Sequence, residues 1–209
     1  MDQLRRGKRF RVTGSPRPTK AGYGLAMSAS RYSKVPFEWT NVAVPDDDKL
    51  ENGLAWRTHG ETFEPVSLVA RVLETSRGPE DRRAVEVLGP DEAARRCLSL
   101  APGFSYLPEK WHVLTMDGEP AGFVLPVIYD GCSRNGLDEA TIYHMGVHPD
   151  HRGSGMGRLL LRRATRALVC HGVWRIFCDT PANNDAMIYC FEREGWTRLP
   201  AHEQPIALL

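Results

Sequence analysis

A glycine-rich segment, residues 147–157, holds the residue types best suited to chemistry in this chain. It contains Arg152, Gly153, Gly155 and Gly157, between an apolar run typical of a buried strand and a run typical of an amphipathic helix. A glycine turn that opens a helix exposes unpaired backbone N–H groups at the positive end of the helix dipole. Glycine also lets a phosphate approach the backbone, because no Cβ blocks it. The segment therefore predicts a binding site for a phosphate or pyrophosphate.

Two familiar phosphate-binding loops do not fit this segment. A P-loop requires Gly-Lys-Ser/Thr, which is absent from the turn. A dinucleotide-binding loop requires G-x-G-x-x-G and an acidic residue about twenty positions on, whereas the spacing here is G-x-G-x-G and position 177 is Phe. The pattern Arg/Gln-x-x-Gly-x-Gly/Ala, after a strand that ends Val-x-Pro, is matched by Val147, Pro149, Arg152, Gly155 and Gly157. On these residues the chain resembles the GNAT superfamily of acyl-CoA-dependent N-acyltransferases.

The resemblance extends along the chain beyond the glycine turn. Residues 173–180 look like the fifth strand of that family, and residues 183–196 look like its last helix, which usually reads Asn-x-x-Ala-x-x-x-Tyr-x-x-x-Gly-Phe. By the order of elements the resemblance covers residues 53–200, and it is specific from 140 to 196. It implies an α/β (α+β) fold, with a mixed, mostly antiparallel sheet that is splayed at its centre and flanked by helices.

Hydrophobic periodicity predicts the elements that position this segment. Pro126 lies inside a predicted strand and cannot donate to its ladder, so we expect a bulge or a partly unpaired stretch there. The predicted strands are 54–58, 111–116, 121–129 and 140–147, and the predicted helices are 64–75, 90–100 and 156–171. The resemblance adds a strand at 173–180 and a helix at 183–196. Hairpin strands followed by strand–helix–strand–helix indicate a mixed sheet with helices on its faces.

The composition is that of an ordinary globular protein, with 42% hydrophobic and 25% charged residues. No apolar run approaches a membrane span, and the N-terminal arginines are followed by no apolar signal region. The five cysteines form no C-x-x-C pair, which indicates reduced thiols in a cytoplasmic protein. The net charge of +1 argues against a dedicated nucleic-acid binder.

Basic residues are concentrated in residues 1–34, where Asp2 is the sole acid. We expect residues 1–49 to form a basic, loosely ordered N-terminal extension, and residues 50–209 to form a GNAT-like N-acetyltransferase domain. Removing residues 1–34 is then predicted to leave cofactor binding intact. Contact of the extension with nucleic acid or another acidic partner is the alternative.

The resemblance implies how an acyl-CoA is held. The turn anchors the pyrophosphate, and the pantetheine arm pairs like an extra strand with residues 145–147, where Gly146 suits a bulge or a packing contact. A backbone N–H near Val147 is the implied oxyanion donor. Arg158 reaches a CoA phosphate or lines a solvated helix face, and Asn184 reaches the cofactor or caps its helix. The implied cofactor-binding residues are Met145, Gly146, Val147, Arg152, Gly153, Ser154, Gly155, Met156, Gly157, Arg158, Asn184 and Phe191.

Acyl transfer to an amine requires a proton acceptor, because only the neutral amine attacks. Family members often carry a glutamate six residues before the valine of the Val-x-Pro strand end, and that position is Thr141 here. Strand alternation places Glu139, Thr141, Tyr143 and Met145 on one face. We therefore expect Glu139 and, next, Tyr143 as catalytic residues. His144 is expected on the opposite face unless a strand bulge turns it, and as a satisfied, partly buried histidine.

The acid that protonates the leaving CoA thiolate is ambiguous. The family's usual tyrosine falls on Phe191 or on Cys190, depending on which end of the helix motif is aligned. Either solvent supplies the proton or the helix is shifted in register. The histidines at 144, 148 and 151 have no cysteine or carboxylate pair that would complete a zinc site, so no metal is predicted.

The sequence thus predicts an N-acetyltransferase that moves an acetyl group from acetyl-CoA to an amine acceptor by direct transfer. A non-catalytic or regulatory acyl-CoA-binding module is the alternative, since the family's usual acid and base residues are missing. A nucleotide-binding regulatory domain that uses the same turn is a third hypothesis. The acceptor and the oligomeric state, including a homodimer, stay open.

Overall fold

A computed structural model describes residues 30–41, 43–46, 50, 53–58, 65–106 and 111–207. Its first half contains β1 (Arg31–Trp39), β2 (Leu54–Thr58), α1 (Val66–Glu74), α2 (Pro79–Leu88), α3 (Pro90–Leu98), β3 (Phe104–Tyr106), β4 (His112–Met116) and β5 (Glu119–Tyr129). There follow β6 (Asp138–Val147), a short 3-10 helix (Pro149–His151), α4 (Met156–His171), β7 (Val173–Pro181), α5 (Asp185–Arg193), β8 (Thr197–Arg198) and β9 (His202–Pro205).

The described strands form one sheet in the order β2-β4-β5-β6-β7-β1-β8, with β3 paired to β5 and β9 paired to β1. Every pair is antiparallel except β6 with β7. Alternate residues of β5 face opposite sides: Phe123 packs in the cluster of α1 and α3, and Val124 packs in the cluster of α4. The predicted mixed, mostly antiparallel sheet with helices on both faces is confirmed.

The sheet opens between its two central strands. β6 and β7 pair only where Asp138–Ala140 meets Val173–Ile176. Beyond Ala140, β6 stays paired with β5, while β7 continues to Pro181 paired with β1. The two strands therefore diverge, and the edge of β6 that faces β7 has no strand partner among the described residues. This edge leads directly into the glycine turn.

A bulge in β6 changes which side chains share a face. The register with β5 passes from Leu125 opposite His144 to Pro126 opposite Ile142, so Tyr143 is the extra residue. The predicted irregularity at Pro126 is confirmed, since proline has no N–H for the ladder. The bulge is not at Gly146, where the sequence also allowed one.

Beyond this bulge the predicted alternation is wrong. Tyr143 packs against the α1–α3 cluster, and the ring of His144 stacks on Phe123 of that same cluster, with centroids 5.7 Å apart. Met145 packs instead against the clusters that contain α4 and α5. The extra residue shifts the period by one. Tyr143 and His144 therefore lie on the same side of the sheet, and Met145 lies on the other.

Two elements that the sequence analysis did not predict flank this opening. The sequence did not predict α2, because its buried residues are Glu80 and Ala84, which do not make an apolar stripe. β1 lies within the range 1–49 expected to be an extension, yet it pairs with β7, β8 and β9, and its Val35 and Phe37 are 2% and 0% exposed. The expected extension does not hold for residues 31–39, and residues 1–29 lie outside the described part. We propose that the domain begins before Arg31.

The remaining predicted elements agree with the structure in type and order. The helix predicted at 156–171 is α4, and the strand predicted at 54–58 is β2. None of the five cysteines, all of which lie in the described part of the chain, forms a disulfide. Among the described residues, no helix is both long and apolar enough to cross a bilayer.

Candidate functional site

The end of β6 presents its backbone to the opening between the strands. The His148 N–H donates to the Ala121 oxygen at 2.8 Å, on the side of β5. Successive N–H groups of a strand point to opposite sides, so the Val147 N–H points away from β5 and into the opening. This is the orientation predicted for an oxyanion donor or a pantetheine contact. The Val147 carbonyl, on the same side, accepts a hydrogen bond from Arg152 Nε at 3.3 Å.

The glycine turn leaves its backbone accessible. Gly153 and Gly155 have φ of 83° and 86°, a left-handed conformation that favours glycine, and a Cβ at either position meets no atom within 4 Å. Gly155 is the N-cap of α4 and has no side chain to satisfy the first N–H groups of that 16-residue helix. The Arg158 N–H donates to the Gly155 carbonyl at 3.0 Å, whereas the N–H groups of Met156 and Gly157 precede the first intrahelical acceptor. The Ser154 hydroxyl braces the turn by donating to the His151 carbonyl at 2.6 Å. The turn thus has the geometry of an anion site.

Arg152 braces the turn against the end of α1. Its guanidinium donates to the Thr75 carbonyl at 3.1 Å and to the Thr75 hydroxyl at 2.7 Å, in addition to the bond to Val147. Burial and the charge of Arg77 lower the pKa of Arg152. The structure therefore gives this predicted phosphate ligand a bracing role between β6 and α1.

Arg158 is engaged by a carboxylate at the end of α5. Glu194 accepts from Arg158 Nε at 2.7 Å and from Arg162 Nε at 2.8 Å. Burial alone would raise the pKa of Glu194, but the hydrogen bonds from Arg162 and Arg158 outweigh it and hold that pKa below its usual value. The pair of arginines ties α4 to α5.

The two cofactor candidates on the last helix have structural partners. Asn184 caps α5, since its side-chain oxygen accepts from the Met187 N–H at 3.4 Å and its amide donates to Thr180 Oγ1 at 3.2 Å. Phe191 is 3% exposed and stacks on Phe37 with centroids 4.5 Å apart. The structure does not bring Phe191 to the turn. Cys190 is closer, because its sulfur would be 3.5 Å from a Cβ on Gly157.

Glu139 is held in an ion pair away from the turn. Its carboxylate accepts from Arg175 Nε at 2.8 Å and from a terminal nitrogen of the same guanidinium, and Arg175 also pairs with Glu38 at 3.5 Å. Glu139 lies where β6 and β7 are still paired. It is six residues before Met145, which is roughly 20 Å along a strand. The structure therefore does not bring Glu139 to the open part of β6.

Tyr143 is brought to the open part of β6, with its phenol enclosed. Its ring meets Phe104 edge-on, with centroids 5.2 Å apart. Burial, with a smaller contribution from Cys97, raises the pKa of Tyr143 to about 12. The phenol therefore keeps its proton at neutral pH, and it can donate a hydrogen bond but is a poor resting base.

A histidine–aspartate pair that sequence reasoning missed lies beside Tyr143. His144 Nε2 is 3.2 Å from Asp81 Oδ1, and both side chains are 14% exposed. The second oxygen of Asp81 accepts from the Ser76 hydroxyl at 2.5 Å. No local signal marks this pair, because Asp81 belongs to the unpredicted α2 and the bulge turns His144 toward it.

The neighbouring residue of α2 makes a second charged cluster. Glu80 pairs with Lys34 of β1 at 3.3 Å, and Lys34 pairs with Asp179 of β7 at 2.9 Å. Burial alone would lower the pKa of Lys34, but the carboxylates of Asp179 and Glu80 outweigh it and hold that pKa above its usual range. Lys34 is therefore a fixed cation and cannot serve as a neutral amine.

Comparison with known proteins decides the family. Residues 68–196 match the model of the Acetyltransferase (GNAT) family. The chain belongs to the GNAT acetyltransferase family. An acetyltransferase of Photorhabdus laumondii is 31% identical over 108 residues, 47% of this chain and 71% of that protein. An acetyltransferase of Pectobacterium atrosepticum is 33% identical over 86 residues, 41% of this chain and 56% of that protein.

Solved structures share the fold of this GNAT chain. A GCN5-related N-acetyltransferase from Sphaerobacter thermophilus has a TM-score of 0.52 at 16% identity, covering 85% of this chain and 53% of that one. A tandem GNAT protein from the clavulanic acid biosynthesis pathway has a TM-score of 0.56 at 18% identity, covering 88% of this chain and 57% of that one. This chain therefore spans little more than half of either structure.

The structure sorts the residues predicted for this GNAT acetyltransferase into two groups. The open edge of β6 and the turn from Arg152 to Gly157 are continuous, whereas Glu139 and Phe191 lie apart from them.

The rings of His148 and His151 lie with their centroids 5.8 Å apart. Within the described ranges, no group of three or more His, Cys, Asp or Glu side chains is arranged to hold a metal.

Proposed function

We propose that this GNAT acetyltransferase transfers the acetyl group of acetyl-CoA to an amine by direct attack of the amine on the thioester. One observation carries the proposal: the unpaired edge of β6 runs straight into a glycine turn that caps a 16-residue helix. An extended pantetheine arm can pair with such an edge by strand addition. The turn that follows offers N–H groups to the pyrophosphate at the other end of the same molecule.

The cysteines support direct attack over an acyl-enzyme. A thiolate, not a thiol, is the competent nucleophile. Burial raises the pKa of Cys178 to about 12, and burial also raises the pKa of Cys190, although Arg158 opposes this. Both thiols therefore keep their protons at neutral pH, and neither is activated by a hydrogen-bonded histidine among the described residues.

The reaction sets a definite proton balance. An acceptor ammonium loses one proton to become nucleophilic, and its nitrogen then forms a bond to the thioester carbon. The nitrogen loses a second proton as the carbon–sulfur bond breaks. One of the two protons ends on the CoA sulfur, and the other passes to solvent. The N–H of Val147, which points into the opening, suits the charge that develops on the thioester oxygen.

A non-catalytic acyl-CoA-binding module is the second candidate. Phe191 favours it, because a buried, stacked phenylalanine stands at one of the two positions where the family's proton-donating tyrosine is expected. CoA thiolate is nevertheless a stable leaving group that solvent can protonate. The distinction therefore depends on whether any amine is turned over.

The test combines binding with turnover. Calorimetry measures the affinity of the full chain for acetyl-CoA, with an adenine dinucleotide as the control ligand. A panel of amines, covering polyamines, amino acids, aminoglycosides and peptide N-termini and lysines, is then scored by release of free CoA thiol. We expect acetyl-CoA binding without dinucleotide binding, and acceptor-dependent thiol release. Slow hydrolysis that no amine accelerates would favour the binding module, and absent acetyl-CoA binding would refute both candidates.

A further inference from the structure

We propose that His144 Nδ1 accepts the proton from the attacking amine, and that Asp81 positions the imidazole for that role. The inference rests on the proposed function, which it deepens by naming the proton acceptor. It replaces Glu139, the residue that sequence alternation favoured.

The contact between Asp81 and His144 fixes the protonation pattern of the ring. A carboxylate can only accept, so the imidazole nitrogen 3.2 Å from Asp81 Oδ1, which is Nε2, carries the hydrogen. In a neutral ring the lone pair is then on Nδ1. Asp81 is itself held by the Ser76 hydroxyl, which donates to its other oxygen at 2.5 Å. Ser76, Asp81 and His144 thus form a chain of hydrogen bonds that ends in a basic nitrogen.

The basic nitrogen has no partner among the described residues. His144 Nδ1 is enclosed and makes no hydrogen bond there. A buried acceptor without a donor is unfavourable, and a bound water or ion, a ligand or a reaction accounts for such an atom in a folded protein. An amine N–H supplies the missing donor. The orphaned atom therefore points to a bound group with N–H character.

The position of His144 on β6 matches the requirement of the reaction. It is immediately before Met145, on the part of the strand whose edge is unpaired, and the bulge at Tyr143 turns it to the α1–α3 side. Met145 and Val147 pack on the opposite side, against the cluster of α4. The imidazole therefore approaches the open edge from one face of the sheet, while the helix that follows the glycine turn packs on the other.

The charges around the ring stabilise the protonated state that the step creates. Proton acceptance makes an imidazolium, whose charge is balanced by Asp81 at 3.2 Å. The neighbouring Glu80 pairs with Lys34 at 3.3 Å, a cation that it shares with Asp179. The phenol of Tyr143 keeps its proton and adds no charge. The imidazolium returns its proton to solvent or to the CoA sulfur, and the ring is ready for the next turnover.

The test uses the full chain and the amine that the wild-type protein turns over fastest in the panel described above. We expect His144→Gln and Asp81→Asn each to lower kcat about 100-fold, which is within the usual contribution of general-base catalysis. The affinity for acetyl-CoA, measured by calorimetry, is expected to stay within twofold. In Asp81→Asn the new amide would donate to Nε2 and so favour the wrong tautomer. His171→Gln is the matched control, because His171 pairs with Asp138 at 3.6 Å at the far end of α4.

Two further measurements separate a proton acceptor from a merely structural histidine. Free imidazole is expected to restore part of kcat in His144→Ala and to leave the wild type unchanged, because it occupies the space left beside Phe123. Nitrogen-15 NMR of the wild-type protein is expected to show the Nε2–H tautomer of His144, and Asp81→Asn is expected to lose it. An Nδ1–H tautomer in the wild type would overturn the proposal.

The outcomes distinguish this inference from the proposed function. Turnover of His144→Gln within twofold of the wild type overturns the role of the pair and leaves N-acetyl transfer standing. If the wild type turns over no amine although it binds acetyl-CoA, the proposed function fails and this inference fails with it. A loss of kcat that free imidazole does not restore, together with weakened acetyl-CoA binding, identifies a structural role and refutes the proposal.

Discussion

The close approach of Val72 in α1 to Gly146 in β6 gives a sharp test of how α1 packs against β6. A Cβ on Gly146 would be 2.3 Å from Val72 Cγ1, and Val72 is 5% exposed in the core. Non-bonded carbon atoms prefer about 3.5–4.0 Å, so Gly146→Ala creates an overlap of more than an ångström. Gly146 does not have a positive φ, so the cost arises from crowding and not from backbone strain. Overpacking of this kind costs about 1–3 kcal/mol.

A double-mutant cycle tests the cause. Val72→Ala alone removes buried methyl groups and is expected to cost about 2 kcal/mol. Combined with Gly146→Ala it makes room for the new methyl group, so the double mutant is expected to be more stable than the sum of the two losses by about 1–3 kcal/mol. Urea unfolding followed by circular dichroism gives the free energies of unfolding. Gly157→Ala, in α4, is the matched control, since its new Cβ would lie at an ordinary 3.5 Å from the Cys190 sulfur of α5. It is expected to raise the free energy of unfolding by about 0.5–1 kcal/mol. Wild-type stability for Gly146→Ala, or strict additivity in the double mutant, would refute the reasoning.

Three further predictions concern the turn, the α4–α5 ion pair and the first strand. Gly155→Asp is expected to lower acetyl-CoA affinity at least tenfold, because it places bulk and negative charge where a phosphate is proposed to bind; unchanged affinity by calorimetry in a folded variant would remove the turn from the site. Glu194→Gln is expected to lower the free energy of unfolding by about 1–2 kcal/mol at neutral pH. This value is reduced for the partial exposure of Arg158 and Arg162. Because folding lowers the pKa of Glu194, this stability is fully present above the ordinary pKa of a glutamate and is lost as the pH falls through the lowered pKa. The difference between wild type and variant in urea unfolding is therefore expected to shrink on acidification below that ordinary pKa; a difference independent of pH would contradict the ion pair. A chain that starts at Ser30 is expected to fold like the full chain, and one that starts at Thr40 is expected not to fold, because it lacks β1 with its buried Val35 and Phe37; equal circular dichroism and unfolding curves for the two truncations would show that β1 is dispensable.

The sequence predicted the parts of this structure whose signals are local. The strand, glycine turn and helix from residue 140 to 171 are adjacent in sequence, and each carries its own apolar period or backbone requirement. Pro126 likewise indicated an irregularity in its strand, because the missing N–H is a property of the residue itself.

The parts that the sequence could not predict depend on distant partners. β1 follows a run of basic residues and looks like part of an extension, but β7 gives it a partner and Asp179 balances its Lys34. α2 buries a carboxylate where a helix usually buries an apolar side chain, so it has no stripe to detect. The pair of Asp81 and His144 depends on that helix and on the extra residue of the bulge, and Pro126 indicates an irregularity without giving the residue of β6 at which the register shifts. The one-residue shift turns His144 toward α2, whereas Glu139 lies before the bulge and is held by Arg175.

The first turn of α2 contacts both sides of the opening in the sheet. β6 and β7 diverge beyond their last shared backbone hydrogen bonds. Glu80 contacts Lys34 of β1, which is on the β7 side of the opening, and the adjacent Asp81 contacts His144 of β6 on the other side. The helix is therefore held on one side of the opening by the ion pair of Glu80 with Lys34 and on the other by the hydrogen bond between His144 and Asp81, while its buried Ala84 packs in the α1–α3 cluster. A wider opening between β6 and β7, as a bulky acceptor would need, requires one of these two side-chain contacts to break. Loss of Lys34 or of His144 removes one of these two contacts, so what α2 holds across the opening is held by side chains and not by the backbone ladder.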